Sequence, residues 1–125
     1  MNTPSNLKYT KSDEWFDPAS GAVGISDYAQ NQLSDIVFVE ILVDEGEEVE
    51  AGKAIASVES VKASSEIYAP VAGKVSAVNK GLSDKPETLN SDPYGEGWMI
   101  KIEGGTAGEV MNAGDYEKYC EGREH

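Results

Sequence analysis

The chain has 125 residues, which suits one domain with a single modest core, and 39% of them are hydrophobic. Its 23 acidic and 10 basic residues give a formal net charge of −13. This balance disfavours nucleic acids and anionic membranes as partners and favours basic protein surfaces, although it can also serve solubility alone. One cysteine and one histidine exclude an internal disulfide and a Cys/His metal cluster.

We expect no targeting signal at the start of the chain. Residues 1–8 contain no apolar stretch, and no run in the sequence approaches the length of a membrane span. The single cysteine leads us to expect a reducing compartment, and the start at Met1 favours the bacterial cytoplasm, with the mitochondrial matrix as the less favoured alternative. We expect residues 1–6 to be flexible, ahead of a single domain over residues 7–125.

The first half of the chain predicts strands and one short helix. The predicted strands are rich in β-branched, aromatic or small apolar residues and cover residues 7–10, 22–25, 36–43 and 54–58. The run at 36–43 is the most apolar, so we expect that strand to be buried on much of both faces. Ser26 is a candidate N-cap for a helix over 27–33, with Asp27 favourably placed in its first turn.

The second half predicts further strands and a C-terminal helix. The predicted strands cover residues 67–71, 75–79 and 98–102. Residues 103–108 are rich in glycine and predict a loop. A helix is expected at about residues 113–121, where Tyr116, Tyr119 and Cys120 recur at helical spacing and should pack as one apolar stripe on the β core.

Residues 58–66 place a lysine between two predicted strands. The link is short enough for a hairpin, yet it lacks the Asn-Gly or Asp-Gly pair typical of a tight turn. Lys62 is therefore expected at an exposed tip, next to the apolar Val61. This geometry suits a lysine that another enzyme must modify, and a plain solvated lysine is the alternative.

The sequence disfavours an autonomous enzyme. It contains no HExxH, P-loop or CxxC motif, and its single histidine is the terminal residue. A Schiff-base lysine needs a neutral amine, which the acidic neighbours Glu59 and Glu66 of Lys62 oppose. A carrier lysine instead has to be exposed, rigidly supported and surrounded by residues that a modifying enzyme can recognise.

Several segments together identify a family resemblance that covers residues 7–121. The matching segments are residues 8–10, 14–15, 24–30, 35–40, 58–63 and 90–98. Among them, Glu-Ser-Val-Lys-Ala at 59–63 and Asp-Pro-Tyr-Gly-Glu-Gly-Trp at 92–98 are specific. The chain resembles the H protein of the glycine cleavage system, a lipoyl carrier. Lipoyl domains of 2-oxoacid dehydrogenases more often show Asp-Lys-Ala, and biotin carriers show Met-Lys-Met.

The resemblance implies a mainly β fold of the barrel-sandwich hybrid type, as in lipoyl and biotinyl carriers, with short helices. It implies that Lys62 carries lipoate in amide linkage. Glu59, Val61 and Ala63 would be read by the lipoate-attaching enzyme. The carrier itself would be non-catalytic and bind no metal.

The resemblance also implies the partners. A pyridoxal-phosphate glycine decarboxylase would load an aminomethyl group, and a tetrahydrofolate-dependent aminomethyltransferase would remove it. Dihydrolipoamide dehydrogenase, using FAD and NAD, would reoxidise the arm. We expect the carrier to be a monomer.

The loaded group would be a cationic amine that benefits from a sheltering cleft with carboxylates. By the resemblance, Ser12, Glu14 and Glu66 are the candidate cleft residues, and solvated acids are the alternative. Two positions depart from the family pattern. Asp13 stands where the family often has His, and Glu66 stands where some members have Asp.

Two other functions remain open at this point. One is an H-like relay that passes lipoate to other proteins without serving glycine cleavage. The other is a biotinyl carrier for carboxyl transfer, against which Val61 and Ala63 argue because methionines usually flank the biotinylated lysine.

Overall fold

The computed structural model describes residues 3–107 and 110–123, and for residues 105–107 it describes the backbone only. The strands, numbered in chain order, are β1 Lys8–Tyr9, β2 Glu14–Phe16, β3 Ala22–Ile25, β4 Ile36–Ile41, β5 Glu48–Val49, β6 Ala54–Ser60, β7 Ser64–Tyr68, β8 Val71–Val78 and β9 Ile100–Ala107. The helices are α1 Asp27–Leu33, α2 Thr88–Ser91 and α3 Ala113–Arg123, and a 3-10 helix covers Lys80–Asp84. Residues 1–6 are the predicted flexible segment, and the first two of them lie outside the described ranges.

The strands form two antiparallel sheets that share one core. The six-stranded sheet has the order β1-β2-β3-β9-β8-β5, and the three-stranded sheet has the order β4-β6-β7. Buried residues from both sheets, including Val23, Val39, Val58 and Val75, belong to one apolar cluster between them. The predicted mainly β fold with short helices is confirmed.

A second apolar cluster joins the C-terminal helix to the first strands. It contains Leu7, Tyr9, Trp15, Ala22, Tyr28, Ala113, Tyr116 and Cys120. The rings of Tyr9 and Tyr116 are stacked, with centroids 4.7 Å apart and planes 7° apart. The predicted helix is confirmed and continues two residues beyond 121, to Arg123. Tyr116 and Cys120 of its stripe are buried, and Tyr119 packs beside them.

Helix α1 has the predicted bounds and the predicted cap. The Ser26 side chain accepts a hydrogen bond from the backbone N–H of Ala29 at 3.1 Å, which satisfies one donor of the first turn. The helix ends at Ser34, which adopts a φ of +65°.

The prediction of a strand buried on both faces at residues 36–43 is wrong. In β4, Val39 is buried, but Val37 and Phe38 are 55% and 47% exposed. The cause is the architecture, because one face of the small antiparallel sheet is open to water. A register shift between Ile36 and Phe38 also interrupts the alternation of buried and exposed side chains.

The prediction of a glycine-rich loop at residues 103–108 is also wrong over residues 103–107. Strand β9 continues to Ala107, and Gly108 lies outside the described residues. The ladder with β8 shifts register between the Ala72–Thr106 and Lys74–Glu103 pairs. Gly104, at a φ of +68°, supplies the left-handed conformation that this bulge uses.

The segment 92–98 is a tight turn that packs against β2. Its backbone closes through the Gly97 N–H, which donates to the Asp92 carbonyl at 2.9 Å. The Trp15 indole N–H donates to the Pro93 carbonyl at 2.9 Å, and the Tyr94 hydroxyl accepts from the Asp27 N–H at 2.8 Å. This turn therefore holds both β2, through Trp15, and the start of α1, through Asp27.

Candidate functional site

Lys62 lies at the tip of the hairpin formed by β6 and β7, exposed as predicted. The last ladder pair below it is Glu59–Ser64. The Ser60 N–H donates to the Ala63 carbonyl at 2.7 Å and closes the turn. A hairpin of this kind lifts the lysine away from the body of the protein.

The Ser60 side chain explains how the chain turns without Asn-Gly or Asp-Gly. Its hydroxyl accepts from the Ala63 N–H at 3.0 Å and from the Lys62 N–H at 3.3 Å, and donates to the Ala63 carbonyl at 3.1 Å. A serine hydroxyl can replace special backbone conformations in this way. This role of Ser60 was not predicted, although a serine two residues before the lysine is a signal for it.

The tip is also attached to the neighbouring strand. The Val61 N–H donates to the Asp35 carbonyl, just before β4, at 3.1 Å. Val61 itself is 68% exposed, the largest value among the exposed large hydrophobic residues of the described chain. The predicted recognition residues Glu59, Val61 and Ala63 are all exposed around the lysine.

A cleft of about 600 Å³ opens near the other end of β7. Its walls come from the β1–β2 turn, the loop before β6 and the end of β7, and are lined by Thr10, Lys11, Ser12, Glu14, Ala51, Gly52, Tyr68, Ala69 and Pro70. The Gly52 N–H donates to the Ala69 carbonyl at 2.8 Å, which holds two of these walls together. Gly52 adopts a φ of +91°, where a side chain would be strained.

Glu14 is the buried acid of this cleft. Glu14 is 1% exposed. Its Oε1 accepts hydrogen bonds from the Thr10 hydroxyl at 2.6 Å and from the Ser12 hydroxyl at 2.7 Å. Its Oε2 is buried and accepts no hydrogen bond from the described residues. The structure thus brings the predicted Ser12 and Glu14 together and adds Thr10, which was not predicted as a cleft residue.

Burial changes the titration of this carboxyl group. Loss of solvation raises the pKa of Glu14 above its ordinary value, while the hydrogen bonds from the Thr10 and Ser12 hydroxyls and, to a smaller extent, the dipole of the nearby Tyr68 backbone offset part of the shift. The negative charge of Asp13 adds a smaller upward effect. A cation placed beside Oε2 would favour the ionised carboxylate and supply its missing partner.

Glu66 lies outside the lining of this cleft. It is exposed on β7 and pairs with Ser57 across the ladder. Because side chains alternate along a strand, Glu66 shares its face with Ser64 and with Tyr68, which does line the cleft. Glu66 therefore stands between the lysine tip and the cleft, on the same sheet face.

Two classes of site are absent from the described ranges. No group of three or more His, Cys, Asp or Glu side chains is arranged to hold a metal ion there. None of the helices in that part of the chain combines the length and apolar character that crossing a bilayer requires.

The family model of the glycine cleavage H-protein matches residues 7–123. The chain belongs to this family. A glycine cleavage system H protein of Xylella fastidiosa strain 9a5c is 51% identical, with 98% of this chain and 97% of that protein covered. One of Nocardia farcinica is 50% identical, covering 92% and 94% of the two chains.

A solved structure agrees with the assignment to the H-protein family. The crystal structure of a glycine cleavage system H protein from Mycobacterium marinum superposes with a TM-score of 0.84 at 35% identity, covering 98% of this chain and 99% of that one. The predicted family and fold are confirmed. H proteins are lipoate-bearing carrier subunits that work with the other components of the glycine cleavage system, so the prediction of a non-catalytic carrier is also confirmed.

Proposed function

We propose that Lys62 is the lipoate attachment site and that Glu59, Val61 and Ala63 form the surface read by the attaching enzyme. The observation that carries the proposal is the exposed lysine on a hairpin closed by Ser60, in a chain of the H-protein family. Lipoate bound there supplies a disulfide that takes up the aminomethyl group of decarboxylated glycine. The backbone of the tip stays anchored to β4, so the motion of the arm is confined to the side chain and what it bears.

The cleft fits the cargo of such an arm. The cargo is a primary amine, cationic at neutral pH, and the unsatisfied Oε2 of Glu14 is a buried acceptor suited to a charged donor. From Ser64 to Tyr68 the strand covers about 13 Å, so the cleft lies within one strand length of the tip. We assign Glu14 to receive the amine, Ser12 to orient Glu14, and Glu66 to attract the cation along the path.

The proposed partners follow the family cycle. They are the pyridoxal-phosphate glycine decarboxylase, the tetrahydrofolate-dependent aminomethyltransferase, dihydrolipoamide dehydrogenase with FAD and NAD, and a lipoate-attaching enzyme. The excess of acidic residues suits transient docking to basic surfaces of these enzymes. The proposed setting is the bacterial cytoplasm, and the proposed state between encounters is a monomer.

The attachment is tested by intact mass after incubation with a lipoate-attaching enzyme and its substrates. We expect a single lipoyl increment on the native chain and none on Lys62→Arg, which keeps the charge but resists attachment. A biotinyl increment on the native chain, or a lipoyl increment that survives in Lys62→Arg, would refute the assignment. Loading by glycine decarboxylase then separates a glycine-cleavage carrier from a lipoate relay.

The cleft is tested by the lifetime of the loaded cargo. Glu14→Gln/Glu66→Gln should lose the aminomethyl group several-fold faster than the native carrier, because the cation loses its carboxylates. Glu40→Gln/Glu48→Gln, at exposed positions outside the cleft, removes the same charge and should keep the native lifetime. Equal lifetimes in all three proteins would contradict the role of Glu14 and Glu66.

A further inference from the structure

Asp13 connects the two cleft residues Ser12 and Glu14 and has an unusual backbone. It adopts a φ of +77°, which aspartate tolerates better than most residues. Its N–H donates to the Thr10 carbonyl at 3.1 Å, and its carbonyl accepts from the Ser26 N–H at 2.9 Å. The orientation of both cleft side chains therefore depends on how this one residue is held.

Arg123, in the last turn of α3, binds the Asp13 carboxylate. Arg123 donates from Nη1 to Oδ1 at 2.6 Å and from Nη2 to Oδ2 at 2.9 Å, the paired geometry that arginine and carboxylates favour. The Arg123 guanidinium carbon also lies 4.6 Å from the ring centroid of Tyr28 and 4.9 Å from that of Tyr119. Two rings and one carboxylate thus fix the arginine.

A buried hydroxyl ties the same carboxylate to α1. The Tyr116 hydroxyl donates to Asp13 Oδ1 at 2.8 Å and lies 2.7 Å from the hydroxyl of Ser26, the N-cap of α1. Tyr116 is fully buried and stacked on Tyr9 of β1. Asp13 is consequently held by α1 and α3 together, from its backbone and from its side chain.

We propose that Arg123 and Tyr116 are positioning residues for the cleft, acting through Asp13 to hold Ser12 and Glu14 in place. The proposal deepens the proposed function, since it rests on the cleft being the resting place of the cargo. Neither residue lines the cleft. A turn freed from α3 would let Ser12 and Glu14 move apart and admit water to the buried carboxyl group.

The first test uses the unmodified protein, so it does not depend on lipoate. The titration of Glu14 is followed by the carbon chemical shift of its labelled side-chain carboxyl in the native chain, Arg123→Gln, Tyr116→Phe and Lys118→Gln. Lys118 is exposed on the same helix, so its variant removes the same charge as Arg123→Gln without touching Asp13. Tyr116→Phe keeps the stacked ring and removes the hydroxyl.

The direction of the change separates positioning from direct electrostatics. Removing a cation and leaving Asp13 unneutralised would by charge alone raise the pKa of Glu14. Loosening the turn would hydrate the carboxyl group and lower its pKa instead, because burial has a larger effect on this pKa than the hydrogen bond from Ser12 that would be lost. We expect a fall in Arg123→Gln, a smaller fall in Tyr116→Phe and no change in Lys118→Gln. A rise, or an unchanged titration despite a lower thermal midpoint, would overturn the proposal.

The second test adds the lipoylated carrier. The aminomethyl cargo should be lost several-fold faster from Arg123→Gln than from the native carrier. Lys118→Gln should lose it at the native rate. If the cargo lifetime is unchanged while the Glu14 titration shifts, the positioning role stands and the proposed cleft function fails. If the double glutamine variant of the cleft shortens the lifetime but Arg123→Gln does not, the cleft stands and the positioning role fails.

Discussion

At the residue scale, Glu14 has one carboxyl oxygen with two hydroxyl donors and another with none. An ionised carboxylate in this setting is costly unless a cation completes it. The proposed role of the cleft, which is to hold a charged ligand, therefore comes at some expense to the stability of the empty protein.

This cost makes a pH-dependent prediction. The folded Glu14 has a raised pKa, so the folded state binds its proton more tightly than the unfolded state does. Its contribution to stability is then fully present below the unfolded value, at about pH 4, and is lost as pH rises through the folded pKa. The free energy of unfolding of the native protein, relative to Glu14→Gln, should fall across that window.

Urea unfolding at a series of pH values measures this difference. Glu40→Gln is the control, because it shows how removing one exposed carboxylate changes the free energy of unfolding. A difference between the native protein and Glu14→Gln that rises with pH would contradict the expectation.

Ser60 carries a second prediction at the same scale. Ser60→Ala removes three hydrogen bonds of the tip turn and should lower the free energy of unfolding by about 1 kcal/mol, because the turn is exposed and water replaces part of each bond. Lipoylation should also slow, since Lys62 is presented less uniformly. Ser65→Ala is the matched control, because the Ser65 hydroxyl makes one long contact at 3.4 Å. Equal unfolding energies and equal lipoylation rates in the two variants would refute this role.

At the scale of elements, sequence patterns predict a helix or strand correctly where contacts between residues close in the chain determine it. Helix α1 was predicted with its bounds because Ser26 caps it through a bond to Ala29 three residues away. Strand β4 was misjudged because its exposure depends on the open face of a sheet, which its own residues do not encode. The glycines after Glu103 suggested a loop, whereas their partner strand β8 makes them a bulge.

The β2–β3 pair carries a prediction of its own. Trp15 lies opposite Gly24, and a Cβ added to Gly24 would lie 2.7–2.9 Å from atoms of the indole ring. Gly24→Ala should therefore cost about 1–3 kcal/mol in unfolding free energy and shift the tryptophan fluorescence, because the ring is held by Pro93. Gly122→Ala adds the same methyl group in open space and should be neutral or slightly stabilising. A neutral Gly24→Ala would contradict the close packing of this ring.

At the scale of the whole molecule, the net charge of −13 governs encounter rather than fold. Association with the proposed partner glycine decarboxylase should slow about tenfold or more as ionic strength rises from about 0.02 M to about 0.3 M. Stopped-flow measurements with added salt test this, with a neutral osmolyte as the control for viscosity and water activity. A rate independent of salt would show that the charge serves solubility alone.

The candidate site was predictable in part at this scale. Lys62, Ser12 and Glu14 followed from a family resemblance, and Lys62 also from its place between two strands. The link from Asp13 to Arg123 spans 110 residues, and no periodicity or spacing in the sequence reports such a pair. Tyr68 was missed for the same reason, since the cleft exists where distant turns meet. Thr10 lies only four residues before Glu14, but its contact depends on how the β1–β2 turn folds back, which its spacing does not report.

The ion pair between Arg123 of α3 and Asp13 of the β1–β2 turn has a consequence for the order of events during synthesis. The lysine hairpin is complete once β7 has left the ribosome, whereas the residue that clamps Asp13 is the last one of α3. Under the proposed function, attachment of the arm requires the hairpin, and shelter for its cargo requires the finished helix. A nascent chain can therefore be ready for its prosthetic group before it is able to protect what that group will carry.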